Sequence, residues 1–142
     1  MKRRKDGHDY QGERFMIATD VGCVSDELED YVATANHVVI EANHDEQMLL
    51  NGPYPTYLKE RILSNVGHMS NATCARVLAD NYHDGLRDIF LCHLSQENND
   101  AQLAYQTVYD ALNSVGAQLD KMTLRPLPRI EPTAIYTFKS HV

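Results

Sequence analysis

The chain has 142 residues, 43% of them hydrophobic and 23% charged, and a formal net charge of −7. That bulk suits one ordinary globular domain and excludes collagen, coiled coil and wholesale disorder. The acidic balance, with a pI near 5.4, excludes a protein that grips nucleic acid through a broad cationic face, although bound metal ions can supply positive charge locally.

The basic start Met1-Lys2-Arg3-Arg4-Lys5 leads into Asp6-Gly7-His8-Asp9. Residues 1–14 are polar and aperiodic, which predicts a frayed tail or a hairpin arm ahead of a folded unit over 15–142. Phe15-Met16-Ile17-Ala18-Thr19 is a short apolar run ending at Asp20 and Gly22, the pattern of a buried strand that delivers a polar residue at its C-terminal edge. A helix is expected over 26–35, capped by Ser25 or Asp26, with carboxylates in its first turn suited to the helix dipole. His37-Val38-Val39-Ile40-Glu41 is a second β-branched run, so strand, helix, strand reads as a parallel βαβ unit. Helices follow over 45–50, stopped by Asn51-Gly52-Pro53, and over 56–64, opened by Pro55 and broken before Gly67. Asn71 is expected to cap a further helix reaching about residue 82. Ile89-Phe90-Leu91-Cys92 is a third buried strand ending at His93, and Asp100 begins a helix through 114 that Gly116 closes. Leu124-Arg125-Pro126-Leu127-Pro128 precedes Thr133-Ala134-Ile135-Tyr136-Thr137-Phe138, which predicts an edge or terminal strand.

No apolar run approaches the roughly 18 to 20 residues that span a bilayer. Cys23, Cys74 and Cys92 are odd in number and lack any CxxC pair, which points to neither a disulfide framework nor a zinc finger. A cytoplasmic protein without membrane association is therefore expected.

Three strands end in Asp20, Glu41 and His93, each ahead of a polar loop. Ligands of open α/β sheets bind outside the carboxyl ends of parallel strands, so these loops should converge on one edge. Singly, the residues have plain explanations: Asp20 can tighten a turn, His44 can belong to a helix N-terminal cluster, and His68 can sit in a loop before a capped helix. His93 is harder to explain that way, because it follows four apolar residues. His8, His37, His83 and His141 carry no functional expectation.

The joint pattern is more specific. In order, the chain carries Thr19-Asp20-Val21-Gly22, Glu41-Ala42-Asn43-His44-Asp45, Gly52-Pro53-Tyr54-Pro55, Gly67-His68-Met69-Ser70-Asn71, and His93-Leu94-Ser95 with Glu97-Asn98-Asn99. These blocks, spanning about 15–116, resemble the C-terminal part of the YycJ/WalJ family of metallo-β-lactamase-fold hydrolases, with a more distant similarity to ribonuclease Z. The resemblance implies an α/β fold, the C-terminal half of an αββα sandwich with one mostly parallel sheet and flanking helices. It implies that Asp20 bridges two divalent metal ions, zinc or manganese, that His93 is the last metal-ligand histidine, and that His68 contacts or protonates the scissile phosphate. Glu41, Asn43, His44 and Asp45 would support those groups, while Ser70, Asn71 and Ser95 would lie near substrate, the first two at a helix N-terminus that favours phosphate.

The complete fold also brings an HxHxDH loop and a further ligand histidine before the bridging aspartate. Neither is among these residues, where only His8 precedes Asp20. Two readings follow from the resemblance. One is a metal-dependent hydrolase acting on nucleic acid or another phosphodiester once an N-terminal half complements the site. The other is a non-catalytic fragment or interaction module that pairs with such a half. In either, one sheet face should lack its partner and leave Val38-Val39-Ile40 exposed.

Overall fold

The computed structural model of the chain describes residues 4–10 and 12–138. Residues 1–3, 11 and 139–142, the last group including His141, lie outside the described residues. Of the stretch read as tail or arm, β1 (Arg4–Tyr10) is an arm: it pairs antiparallel with β2 (Glu13–Thr19), and Gly12 takes up φ 78° in the turn between them.

From β2 onward the sheet is parallel. β2, β3 (His37–Glu41), β4 (Asp88–Cys92) and β5 (Thr123–Pro126) lie side by side in chain order. α1 (Asp26–Thr34) crosses from β2 to β3. α2 (Glu46–Asn51), α3 (Thr56–Leu63) and α4 (Asn71–Asp80) fill the connection to β4. α5 (Ala101–Ser114) and a single 3-10 turn at Leu119–Lys121 lead to β5. This is the α/β arrangement, one mostly parallel sheet with flanking helices, that the family resemblance implies, and it contains the parallel βαβ unit expected from the strand and helix alternation.

Strand periodicity decides which side chains meet the helices. Met16 and Ala18, Val38 and Ile40, and Ile89 and Leu91 turn inward, each 2% exposed or less. They pack with Leu28 and Val32 of α1, Cys74 and Leu78 of α4, and Ala104, Val108 and Leu112 of α5 in one core. The expected exposure of Val38-Val39-Ile40 is therefore incorrect for two of the three, because their side chains alternate: Val38 and Ile40 lie under the helices, and Val39 alone turns to the opposite face, where it is half-buried.

That opposite face carries two registered rows, Phe15, His37, Asp88 and Thr123, then Ile17, Val39, Phe90 and Arg125. Residues 133–138, predicted as a strand, form none; they cross this face and are held by side chains. The Phe138 ring lies 5.1 Å from Phe15 and 4.6 Å from His37, and Tyr136 lies 5.0 Å from Phe90. The Tyr136 hydroxyl donates to Asp88 Oδ1 at 2.6 Å. The free edge of β5 offers poor pairing for a further strand. Leu127 N–H donates to Leu91 O at 2.7 Å, so strand alternation turns the Pro126 nitrogen, which has no hydrogen to give, outward. Ile17 remains 44% exposed.

His37, which carried no functional expectation, forms a clasp at the N-terminal end of the parallel strands. It is 2% exposed, with Nδ1 bonded to Asp88 at 2.6 Å and Nε2 bonded to Glu13, which also takes Arg87. No helix among the described residues is long and apolar enough to cross a membrane.

Candidate functional site

The carboxyl ends of β2, β3 and β4 bring Asp20, Glu41 and His93 to one edge, and the loop between α3 and α4 adds His68. One ligating atom from each of the four lies within 4.8 Å of the others. Two glycines permit that loop to approach. A Cβ on Gly22 would come within 2.5 Å of Gly67 N and 2.7 Å of Asn65 O, and one on Gly67 would collide with the Ile62 and Arg61 carbonyl oxygens. The Asp20 loop and the His68 loop thus touch backbone to backbone.

Glu41 is the hub. Its side chain is fully buried, and Oε1 accepts from His68 Nδ1 at 2.7 Å and His93 Nδ1 at 2.6 Å, while Oε2 accepts from Val21 N at 3.0 Å and Met69 N at 3.3 Å. Burial alone would raise its carboxyl, but the hydrogen bonds from His68, His93 and Val21 outweigh that and hold it at about 2. As an ionised acceptor it keeps the proton of both rings on Nδ1, which leaves each Nε2 as the nitrogen with a lone pair to give. The bond to Glu41 also raises His93 above its ordinary value, against the opposing effect of burial. The two rings meet nearly edge to face, with centroids 4.9 Å apart.

Asp20 Oδ1 lies 3.7 Å from His68 Nδ1 and 3.5 Å from His93 Nδ1, yet it is buried and takes no hydrogen bond among the described residues. A buried carboxylate oxygen without a hydrogen bond, beside two imidazoles that each keep Nε2 to give, fits a divalent cation. Asp20 and His93 share a second property: they are the non-glycine residues at positive φ, 56° and 57°, among those described. Cys92 is close by, but burial, reinforced by Glu41 and Asp20, pushes its thiol up to about 12, so it stays protonated beside them.

The remaining predicted residues have defined places. Asn43 Nδ2 donates to His93 O at 2.8 Å and so fixes the backbone at that left-handed residue. His44 is 1% exposed, and burial lowers its basicity; its carbonyl accepts from Asn71 N at 2.8 Å, and its Nε2 has no hydrogen bond among the described residues. Asp45 is the N-cap of α2, accepting from Met48 N at 2.9 Å. Ser70, not Asn71, caps α4, accepting from Thr73 N at 3.1 Å. Asn71 has helical backbone, and its amide pairs reciprocally with that of Asn99 at 2.8 and 2.9 Å. Two of the first N–H groups of α4 are therefore already satisfied inside the fold, which weakens the phosphate expectation there. Ser95 holds the next turn, its Oγ accepting from Asn98 N at 3.1 Å. Sequence reasoning singles out Asn71 but misses its partner Asn99, which also donates to Ala42 O at 2.8 Å. A repeated polar pair, Asn98-Asn99, directly ahead of a helix is the signal that points to it.

No protein-family model matches the chain. Among curated proteins it is 42% identical over 103 residues to Exodeoxyribonuclease YycJ of Bacillus anthracis, covering 72% of this chain and 39% of that protein. It is also 42% identical over 98 residues to Exodeoxyribonuclease WalJ of Streptococcus pneumoniae strain D39, covering 69% of this chain and 36% of that one. Over that stretch the chain is a YycJ/WalJ homologue. The YycJ/WalJ-like chain spans less than two fifths of the length of the curated relatives it matches, and its sheet with flanking helices corresponds to one half of the metallo-β-lactamase sandwich.

Proposed function

We propose that this chain carries part of a metal-dependent phosphodiesterase site acting on DNA, completed by ligands from a histidine-rich N-terminal half. The observation that carries this reading is the convergence of Asp20, Glu41, His68 and His93, with one ligating atom of each within 4.8 Å of the others, at the carboxyl end of the parallel strands. The names of the relatives, exodeoxyribonucleases, favour DNA over other phosphodiesters. Three free thiols fit a reduced, cytoplasmic setting.

In this reading Asp20 and His93 are ligands, Asp20 by a carboxylate able to bridge two cations and His93 by Nε2. Two divalent cations, zinc or manganese, would supply an acidified water and charge neutralisation at the phosphoryl oxygens when bound. Glu41 orients both imidazoles through Nδ1, so His68 turns Nε2 to substrate, and once that nitrogen has taken up a proton to form the imidazolium it can pass it to a departing oxygen. Asn43 sets the His93 backbone; His44 and Asp45 hold the surrounding loops, and Ser70, Asn71 and Ser95 shape the ground beneath the substrate.

A zinc or manganese titration by calorimetry tests this. The chain mixed with a separately expressed N-terminal half of a related full-length protein should bind metal stoichiometrically and degrade DNA, and Asp20→Ala or His93→Ala should lower metal affinity at least about 10-fold. Mixtures that bind no metal would defeat it. The second reading, a non-catalytic module, draws on the sheet face opposite the helices, where Ile17 is 44% exposed beside half-buried Val39. It predicts association with the same N-terminal half without metal or turnover.

A further inference from the structure

We propose that a groove beside His93 is a subsite for one nucleotide of a single-stranded nucleic acid, with Arg129 as its phosphate contact. The inference rests on the phosphodiesterase reading for the identity of the ligand, though not for the binding itself.

The pairing of β4 with β5 continues past its last ladder residue, since Leu127 N–H donates to Leu91 O at 2.7 Å. The following residues therefore run beside Leu91-Cys92-His93, and Arg129 comes near enough for its guanidinium to act electrostatically on His93. Between this segment and the start of α5 lies an open cavity of about 400 Å³, a size that admits one nucleotide and no duplex. It adjoins the candidate site directly, because its floor begins with the two residues after His93.

The lining has the mixed character such a ligand requires. Leu94, Leu127 and Pro128 give the lining apolar surface suited to a sugar or an unstacked base. Ser95 and Gln96 add polar groups to the lining; Ser95 Oγ already accepts from Asn98 N, which leaves its hydroxyl proton to donate. Arg129 is exposed and makes no ion pair among the described residues. In a chain of net charge −7, a cation beside the site is what makes a polyanion welcome there, and a guanidinium offers a paired donor geometry suited to phosphate. Two carboxylates also line the groove. Asp100 is committed as the cap of α5, accepting from Gln102 N and Leu103 N at 2.9 and 3.1 Å. Glu131 is exposed and lines the same groove as Arg129.

The test is fluorescence anisotropy of a short labelled oligothymidylate with the full chain, in EDTA, across a series of sodium chloride concentrations. Arg129→Ala should weaken binding about tenfold, the loss of one charge-assisted hydrogen bond, and flatten the salt dependence by about 0.7 in log–log slope. Arg129→Lys should keep the slope, and Glu131→Gln should tighten binding. Amide shifts on adding the oligonucleotide should centre on Leu94, Gln96 and Leu127. No binding by the unaltered chain, equal affinity and slope for Arg129→Ala, or shifts centred elsewhere would overturn the proposal. A parallel zinc titration of the chain mixed with the N-terminal half separates the two ideas: zinc bound there with no effect of Arg129→Ala on oligonucleotide binding sinks the subsite alone, whereas Arg129-dependent binding with no zinc taken up by the mixture sinks the metal reading alone.

Discussion

Asp20 and His93 occupy the left-handed region at φ 56° and 57°, where a Cβ costs roughly 1 to 2 kcal/mol. Residues held there at strand ends mark positions where the side chain matters more than local backbone ease. Asp20→Gly should therefore leave the metal-free chain more stable than Asp20→Ala by about 1 kcal/mol, measured by urea unfolding, while both lose metal binding alike. Glu41 gives the pH dependence. Its carboxyl sits at about 2 in the folded chain against an ordinary 4.5, so its contribution is complete above 4.5 and is lost as pH falls towards 2, a limb on the order of 3 kcal/mol. His93 is raised and works with the opposite sign: its contribution is complete below its ordinary value and fades as pH rises through the folded one. Urea unfolding of Glu41→Gln should show the acid limb flattened and the alkaline fade reduced with it. An acid limb of unchanged size would mean that other carboxylates carry it.

At the scale of elements, the site depends on two backbones meeting at Gly22 and Gly67. Gly67→Ala has nowhere to place its methyl except against the Ile62 and Arg61 carbonyls, so it should destabilise the chain by 2 kcal/mol or more in thermal unfolding and separate His68 from Glu41. Leu78→Ala, at the fully buried contact of α4 with the core, should cost about 2–5 kcal/mol and leave the cluster of Asp20, Glu41, His68 and His93 in place. The strands and helices were legible because apolar runs and caps are local signals: β3 and β4 are continuous β-branched and apolar runs, and Ser25 precedes a carboxylate-rich turn. Residues 133–138 were not, because the composition of a strand says nothing about whether an edge is free to pair. That Asp20, Glu41 and His93 converge on one edge was legible from their positions at strand ends. Glu41 as hub, the Asn71 pairing with Asn99, and the His37 clasp were not, because each depends on contacts between residues far apart in the chain, and a lone histidine in a strand has the same sequence signature whether it has two carboxylate partners or none.

The whole molecule is a sheet covered unequally. Helices seal one face, and the other relies on Tyr136 and Phe138 reaching back over Phe15, His37 and Phe90. Tyr136→Ala removes the bond to Asp88 as well as the ring contacts, and should raise the fluorescence of a hydrophobic dye and speed proteolysis after residue 126 while the α1, α4 and α5 core persists. The parallel order of β2, β3 and β4 has a kinetic consequence. Except for the β1 hairpin, each pairing closes a long stretch of chain before it returns any ladder bonds, which slows the assembly of such sheets. Asp20, Glu41 and His93 stand at the ends of those strands, so they meet only when the slow step is complete. In stopped-flow refolding, any signal that depends on their proximity should grow in with core burial rather than in the dead time, because a chain caught before β3 and β4 pair has the same four side chains and no place where they come together.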